Sequence, residues 1–307
     1  MRRETHNILV IRHGAFGDLI QCSGALADLR AFHHDARITL LTEPAYRTLM
    51  QRCPHVNAVI TDARLPLRRL REQLALRRRL REQGFDFVYD LQNSDRTALY
   101  RRLFLPGIPW SRDTGTVAAG EPDVVRYQAQ LTAAGVPVVH TCEPDVGWMA
   151  DDATALLDAA GVRRPYIVLI PGSAARHPHK RWPHYAELAA ALCERGHEVV
   201  TAPGPDELEL ARSIPGHTLT GPDGYLNWFQ LAGALRQAAF VIGNDTGPSH
   251  LAACLGAPGL ALFGPHTTPR RTGILRPHFD AVAVPDLNAL SVEEVLARIE
   301  PYLTQAG

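Results

Sequence analysis

The stretch Phe240-Val-Ile-Gly-Asn-Asp-Thr-Gly-Pro-Ser-His-Leu-Ala-Ala-Cys-Leu255 decides the fold. Its apolar opening, Phe240–Ile242, reads as a short buried strand. The chain then breaks at Gly243-Asn-Asp-Thr-Gly247, and Pro248 stands where proline suits the first turn of a helix, Ser249–Leu255. A strand that runs through a glycine-bearing turn into a helix is the repeating joint of an α/β sheet. It is also a ready anion site, because the first N–H groups of the helix are unpaired and its dipole end is positive. Asp245 and Thr246 add side chains for hydroxyls, and His250 lies one turn inside. The plainer use of the same turn is structural, with Asp245 or Thr246 capping the helix.

Working outward, the same alternation covers the chain twice. In the first half the pattern predicts strands at Asn7–Arg12, Arg37–Leu41, Ala58–Ile60 and Phe87–Asp90. Helices are expected at Asp18–Phe32, Tyr46–Arg52, Leu65–Glu82, Asp95–Phe104 and Asp123–Ala134, with Pro106–Pro122 as loop. A linker is expected between about His140 and Met149, dividing a domain of residues 1–145 from one of residues 146–307. Beyond it, strands are expected at Tyr166–Ile170, Glu198–Thr201, Phe240–Ile242, Leu260–Phe263 and Ala281–Val284, separated by helices. The fold class is therefore α/β, with two Rossmann-like doubly wound parallel sheets. Ligands bind at the carboxyl ends of such strands, and the cleft between the two domains is the expected site.

Composition narrows the function. The 307 residues carry 32 Lys plus Arg against 32 Asp plus Glu, so a general nucleic-acid binder, which should be basic, is disfavoured. No apolar run is long enough to span a membrane. The opening Met1-Arg-Arg-Glu-Thr-His lacks the apolar segment of a signal peptide, and five scattered cysteines without a C-x-x-C read as reduced thiols. Together these point to a cytoplasmic protein.

Chemistry-bearing residues gather after the strands. Arg12-His-Gly-Ala-Phe-Gly-Asp18 follows the first. Gly14 and Gly17 let backbone approach a ligand, and Asp18 either faces the cleft or caps the helix. The spacing is not the G-x-G-x-x-G of a dinucleotide fold, which sets a nicotinamide dehydrogenase aside. Pro171-Gly-Ser-Ala-Ala-Arg-His-Pro-His-Lys-Arg-Trp-Pro183 carries Arg176, Lys180 and Arg181, cations suited to a diphosphate or simply to solvent. His177 and His179 have no Cys or carboxylate beside them, and no D-x-D occurs, so no metal is expected. Leu65–Arg81 holds seven arginines against Glu72, with Leu67, Leu70 and Leu74 on one stripe and Leu76 and Leu80 on another. It is either a solvated face or a dock for an anionic acceptor or membrane surface. Asp90-Leu-Gln-Asn-Ser-Asp-Arg96 and Phe263-Gly-Pro-His-Thr-Thr-Pro-Arg-Arg271 end two further strands, and both also suit plain turns.

In this order the G-x-x-G-D18 ending, Pro171-Gly-Ser with Lys180-Arg-Trp-Pro183, Asn244-Asp-Thr-Gly-Pro-Ser-His250 and Phe263-Gly-Pro265 resemble glycosyltransferase family nine, the bacterial lipopolysaccharide heptosyltransferases. The resemblance covers nearly the whole chain. It implies a GT-B fold and inverting, metal-independent sugar transfer without a cofactor, from a nucleotide sugar such as ADP-heptose to a glycan or glycolipid acceptor. It implies Asp18 as general base and Lys180, Asp245, Thr246, Gly247, Ser249 and His250 at the donor, with Glu207 the nearest counterpart of a ribose contact. Acceptor contacts are expected from Arg64, Arg68, Arg69, Gln92 and Arg96. A nucleotide-sugar epimerase of the same architecture and a non-catalytic nucleotide-sugar binder are the alternatives. Nucleotide release with and without acceptor separates them.

Overall fold

A computed structural model describes residues 6–303; the start read above for a signal peptide lies in part outside the described residues. The chain forms two compact units that divide between Trp148 and Met149. In the first, β1 (Asn7–Ile11), β2 (Arg37–Thr42), β3 (Ala58–Thr61), β4 (Phe87–Asp90) and β5 (Trp110–Ser111) make one parallel sheet in the order β3-β2-β1-β4-β5. In the second, β6 (Tyr166–Ile170), β7 (Glu198–Thr201), β8 (His217–Thr218), β9 (Phe240–Asn244), β10 (Gly259–Phe263) and β11 (Phe279–Ala283) make another, ordered β11-β10-β9-β6-β7-β8. Both are doubly wound, so the fold class expected from the sequence holds.

The central strands are nearly all apolar because both faces of a parallel sheet are covered by helices. Ile8–Ile11 and Tyr166–Ile170 are buried throughout. In each unit the strand order reverses beside the first strand, between β1 and β4 and between β6 and β9. That reversal leaves a crevice at the carboxyl ends, which is where the candidate residues come together.

Four differences from the sequence reading have local causes. The first helix starts at Phe16, with Ala15 as its cap, so Asp18 lies at the third helical position instead of the cap. The arginine helix starts only at Leu70, because Pro66 and a bond from Gln73 Nε2 to the Leu65 carbonyl (3.1 Å) hold the preceding residues outside it. Pro106–Pro122 contains β5, which pairs with β4, and β8 was likewise unforeseen. The start of the linker is clamped: buried Asp28 accepts the N–H groups of Val139, His140 and Thr141 at 2.9–3.1 Å.

Candidate active site

At the carboxyl end of β1 the buried guanidinium of Arg12 organises the turn. It donates to the Leu91 carbonyl (3.1 Å) beyond β4 and pairs with Asp18 and Asp123, each at 2.9 Å. Burial alone would lower its pKa; the surrounding Tyr127, Asp18 and Asp123 outweigh that and raise it, so it stays charged. Asp18 uses Oδ2 both for Arg12 and to accept the Ala15 N–H (2.7 Å). Its Oδ1 has no hydrogen-bond partner among the described residues, and the side chain is 44% exposed. One oxygen thus fixes the carboxylate while the other remains open. Gly14 is required here: its φ is +148°, and a Cβ would lie 2.6 Å from the Tyr46 ring. Gly17 is the second residue of the helix that carries Asp18.

Beside this turn lies a buried cluster that sequence reasoning missed. Asp62 Oδ2 accepts from Tyr100 Oη (2.5 Å) and meets His13 Nε2 (3.0 Å), while Oδ1 accepts the Arg64 N–H (2.8 Å). Burial would raise the Asp62 carboxyl, but the hydrogen bonds from His13 and Tyr100 pull it down to about 2. The His13 N–H in turn donates to Gln92 Oε1 (2.8 Å), tying the β1 and β4 loops together.

The residues expected at the acceptor have partners of their own. Arg96 is held by Tyr100, Asp62 and the Leu65 carbonyl and braces the cluster. The Gln92 side chain serves the β1 turn through its oxygen. Arg64 pairs with Glu43 at 3.0 Å. Arg68 and Arg69 are exposed, Arg69 standing 3.7 Å from Glu72. Asp90 is buried and accepts the N–H groups of Gln92 and Asn93, shaping its own turn.

In the second unit, Asn244 stitches the crevice. Its Nδ2 donates to the carbonyls of Pro171 (2.9 Å) and Gly172 (3.2 Å), and its Oδ1 accepts the Trp182 N–H (3.0 Å). The next residue, Asp245, is a buried carboxylate with three partners. Lys180 Nζ and His266 Nε2 meet Oδ2 at 2.7 and 3.0 Å, and His250 Nε2 meets Oδ1 at 3.4 Å. Burial would raise its pKa, but hydrogen bonds from His250 and Lys180 hold it well below the carboxylate range. Three groups able to carry positive charge therefore crowd one negative charge. Thr246 caps the helix Gly247–Cys254 through backbone conformation alone, without a side-chain bond to it. The N–H groups of Thr246 and Gly247 make no hydrogen bond among the described residues.

Glu207 is brought to the same crevice. Its carboxylate accepts the Gly204 N–H (2.9 Å) and lies so close to Gly172 that a Cβ there would sit 1.9 Å from it. Ser249 is fully buried, and its hydroxyl donates to the Asn244 carbonyl (2.6 Å) and fixes the turn. Arg181 folds back on Ser173 through Oγ (3.1 Å) and the carbonyl (2.8 Å). His266, quoted above only within a turn, joins the site, and the rings of His179 and His177 extend edge to face from it. Among the described residues no three His, Cys, Asp or Glu side chains are placed to hold a metal ion.

A sequence profile described as glycosyltransferase family 9 (heptosyltransferase) matches residues 73–302, three quarters of the chain. The chain belongs to this family. Lipopolysaccharide heptosyltransferase 2 of Escherichia coli K12 is 29% identical over 300 residues, covering 84% of this chain and 82% of that protein. The solved ADP-heptose lipopolysaccharide heptosyltransferase II of E. coli superposes with a TM-score of 0.75 at 26% identity, over 97% of this chain and 99% of that one. E. coli heptosyltransferase WaaC, solved with ADP-2-deoxy-2-fluoro heptose, shares the fold at a TM-score of 0.75 and 22% identity, over 96% and 99% of the two chains. A UDP-GlcNAc 2-epimerase from Methanocaldococcus jannaschii also shares the fold, at a TM-score of 0.58 and 11% identity over 96% and 91%. The fold alone therefore does not separate transfer from epimerisation; membership of the family does.

Proposed function

We propose that this glycosyltransferase is inverting and metal-independent, and that it moves heptose from ADP-heptose to a lipopolysaccharide-core acceptor at the cytoplasmic face of the inner membrane. The first unit takes the acceptor and the second the donor. In this reading Oδ1 of Asp18 accepts the proton of the acceptor hydroxyl as its oxygen attacks the anomeric carbon. The bond from that carbon to the diphosphate breaks on the opposite face, which inverts the configuration. ADP leaves with the electron pair. Lys180, His250 and the open N–H groups of Thr246 and Gly247 stabilise its growing negative charge, in place of a metal. Asp245 positions Lys180 and His250, and Glu207 contacts the nucleoside. Gly14 and Gly17 keep the Asp18 turn close to the acceptor, and Arg68 and Arg69 attract its anionic groups.

The observation that carries this reading is the gathering of Lys180, His250 and His266 on the single carboxylate of Asp245, at the end of the second sheet. Release of ADP from ADP-heptose tests it. The expected result is release that depends on a heptose-accepting core glycan and persists after chelation with EDTA. Sugar conversion without any acceptor would establish an epimerase. Nucleotide-sugar binding with no turnover under either condition would establish a non-catalytic binder.

A further inference from the structure

Among the described residues nine large hydrophobic side chains are exposed, and five of them, Leu65, Leu67, Leu70, Leu74 and Leu103, belong to one region of the first unit. Scattered single exposed leucines need no explanation, but such a concentration does. The helix Leu70–Glu82 packs through Gln73, Leu76 and Leu80. Leu70 and Leu74 point away from that face, at 68% and 58% exposure. At 100° per residue, the flank that holds them also carries Arg71, Arg78 and Arg81; Glu82 lies at its edge, 3.7 Å from Arg78, while Glu72 falls on the other side. Arg77 Nε donates to the Leu103 carbonyl (3.0 Å), which seats Leu103, 54% exposed, against the helix. Exposed Arg101 and Arg102 adjoin it. Arg96 likewise holds the Leu65 carbonyl (2.8 Å). The patch is thus braced from beneath, with its leucines left outward among arginines in a chain of zero net charge.

We propose that this leucine–arginine face docks on an anionic lipid bilayer, the leucines entering the acyl boundary and the arginines meeting lipid phosphates. The proposal rests on the reading above that the acceptor is lipid-linked, and it names the surface that would bring the enzyme to it. A purely glycan ligand would use the arginines and leave five leucines in water. A basic patch alone would be weak at cellular salt, whereas apolar insertion and charge together give stable interfacial binding. No helix of the described residues is long and apolar enough to cross a membrane.

The test is co-sedimentation of the full chain with vesicles of phosphatidylcholine alone or with about one third phosphatidylglycerol. Binding is expected only to the anionic vesicles. Leu70→Gln/Leu74→Gln should reduce it roughly tenfold or more, and Arg71→Gln/Arg78→Gln should do the same and flatten its salt dependence. Circular dichroism checks that the variants fold. Turnover of Leu70→Gln/Leu74→Gln on a delipidated acceptor should match the unmodified chain. Undiminished vesicle binding by the leucine variant overturns the proposal, as does no binding by the unmodified chain. A concentration-dependent dimer that Leu70→Gln/Leu74→Gln dissociates, without vesicle binding, also overturns it and makes the face a contact between copies. Vesicle binding needs no donor, so turnover without vesicle binding sinks this proposal alone. Vesicle binding without sugar transfer sinks only the reaction assigned above.

Discussion

The two sheets reverse strand order in the same way, yet their switch points are built around opposite buried charges, a guanidinium in one and a carboxylate in the other. Beside β1, the cation Arg12 is buried and shared between Asp18 and Asp123, Asp123 also stands 3.8 Å from Arg126, and one oxygen of Asp18 stays open. Beside β6 and β9, the single carboxylate of Asp245 is surrounded by Lys180, His250 and His266, so nitrogen groups outnumber the carboxylate. The architecture is common to both; the difference lies in which charge the sequence buries. A proton acceptor suits the first site and a diphosphate the second, which is the division of labour that sugar transfer needs.

The largest effect that can break this comparison is on turnover. Asp18→Asn keeps an oxygen for the Ala15 N–H but removes the proposed base, so kcat should fall by about two to four orders of magnitude. Its melting temperature should fall only slightly, since Arg12 retains Asp123 and the Leu91 carbonyl. Next in size, Lys180→Ala should weaken ADP binding by roughly ten- to a hundredfold, the worth of a hydrogen bond to a charged group. His250 and His266 still hold Asp245 in that variant, so the chain should stay folded with a lowered melting temperature.

The buried cluster around Asp62 sharpens the contrast, because it belongs to structure and not to donor binding. Tyr100→Phe should cost about 1–2 kcal/mol of stability and leave ADP affinity unchanged. The Asp62 carboxyl is lowered from an ordinary 3.8 to about 2 in the folded chain. Its contribution, about 2 kcal/mol, is therefore fully present above pH 4 and lost as pH falls toward 2. Denaturant unfolding followed against pH should show that loss, and Asp62→Asn should flatten it. The smallest effects concern Glu207. Glu207→Gln should weaken ADP binding about fivefold, and Gly172→Ala should do at least as much, since its Cβ would displace the carboxylate.

Much of this architecture was legible in the sequence for a physical reason. Strands buried on both faces must be apolar runs, so Phe87–Asp90, Tyr166–Ile170 and Glu198–Thr201 could be read to the residue. The two-residue strands β5 and β8 have no pattern of their own and exist because β4 and β7 offer an edge. Position after a strand was enough to single out Asp18, Lys180 and Asp245 as candidates. It could not show that Tyr100 and His13, 38 and 49 residues from Asp62, converge on it and take Arg96 with them. Nor could it show which leucine stripe of the arginine helix faces inward, since both stripes are equally apolar. The available signals were a charged residue, Arg12, closing a buried strand, and a histidine, His266, inside a Gly-Pro loop.

The division of labour is tested most directly by calorimetric titration of ADP-heptose into Asp18→Asn and Lys180→Ala side by side. The account predicts that Asp18→Asn binds the donor as the unmodified chain does, while Lys180→Ala binds it at least tenfold more weakly. Donor affinity lost in Asp18→Asn and kept in Lys180→Ala would reverse the roles given to the two switch points and contradict the account.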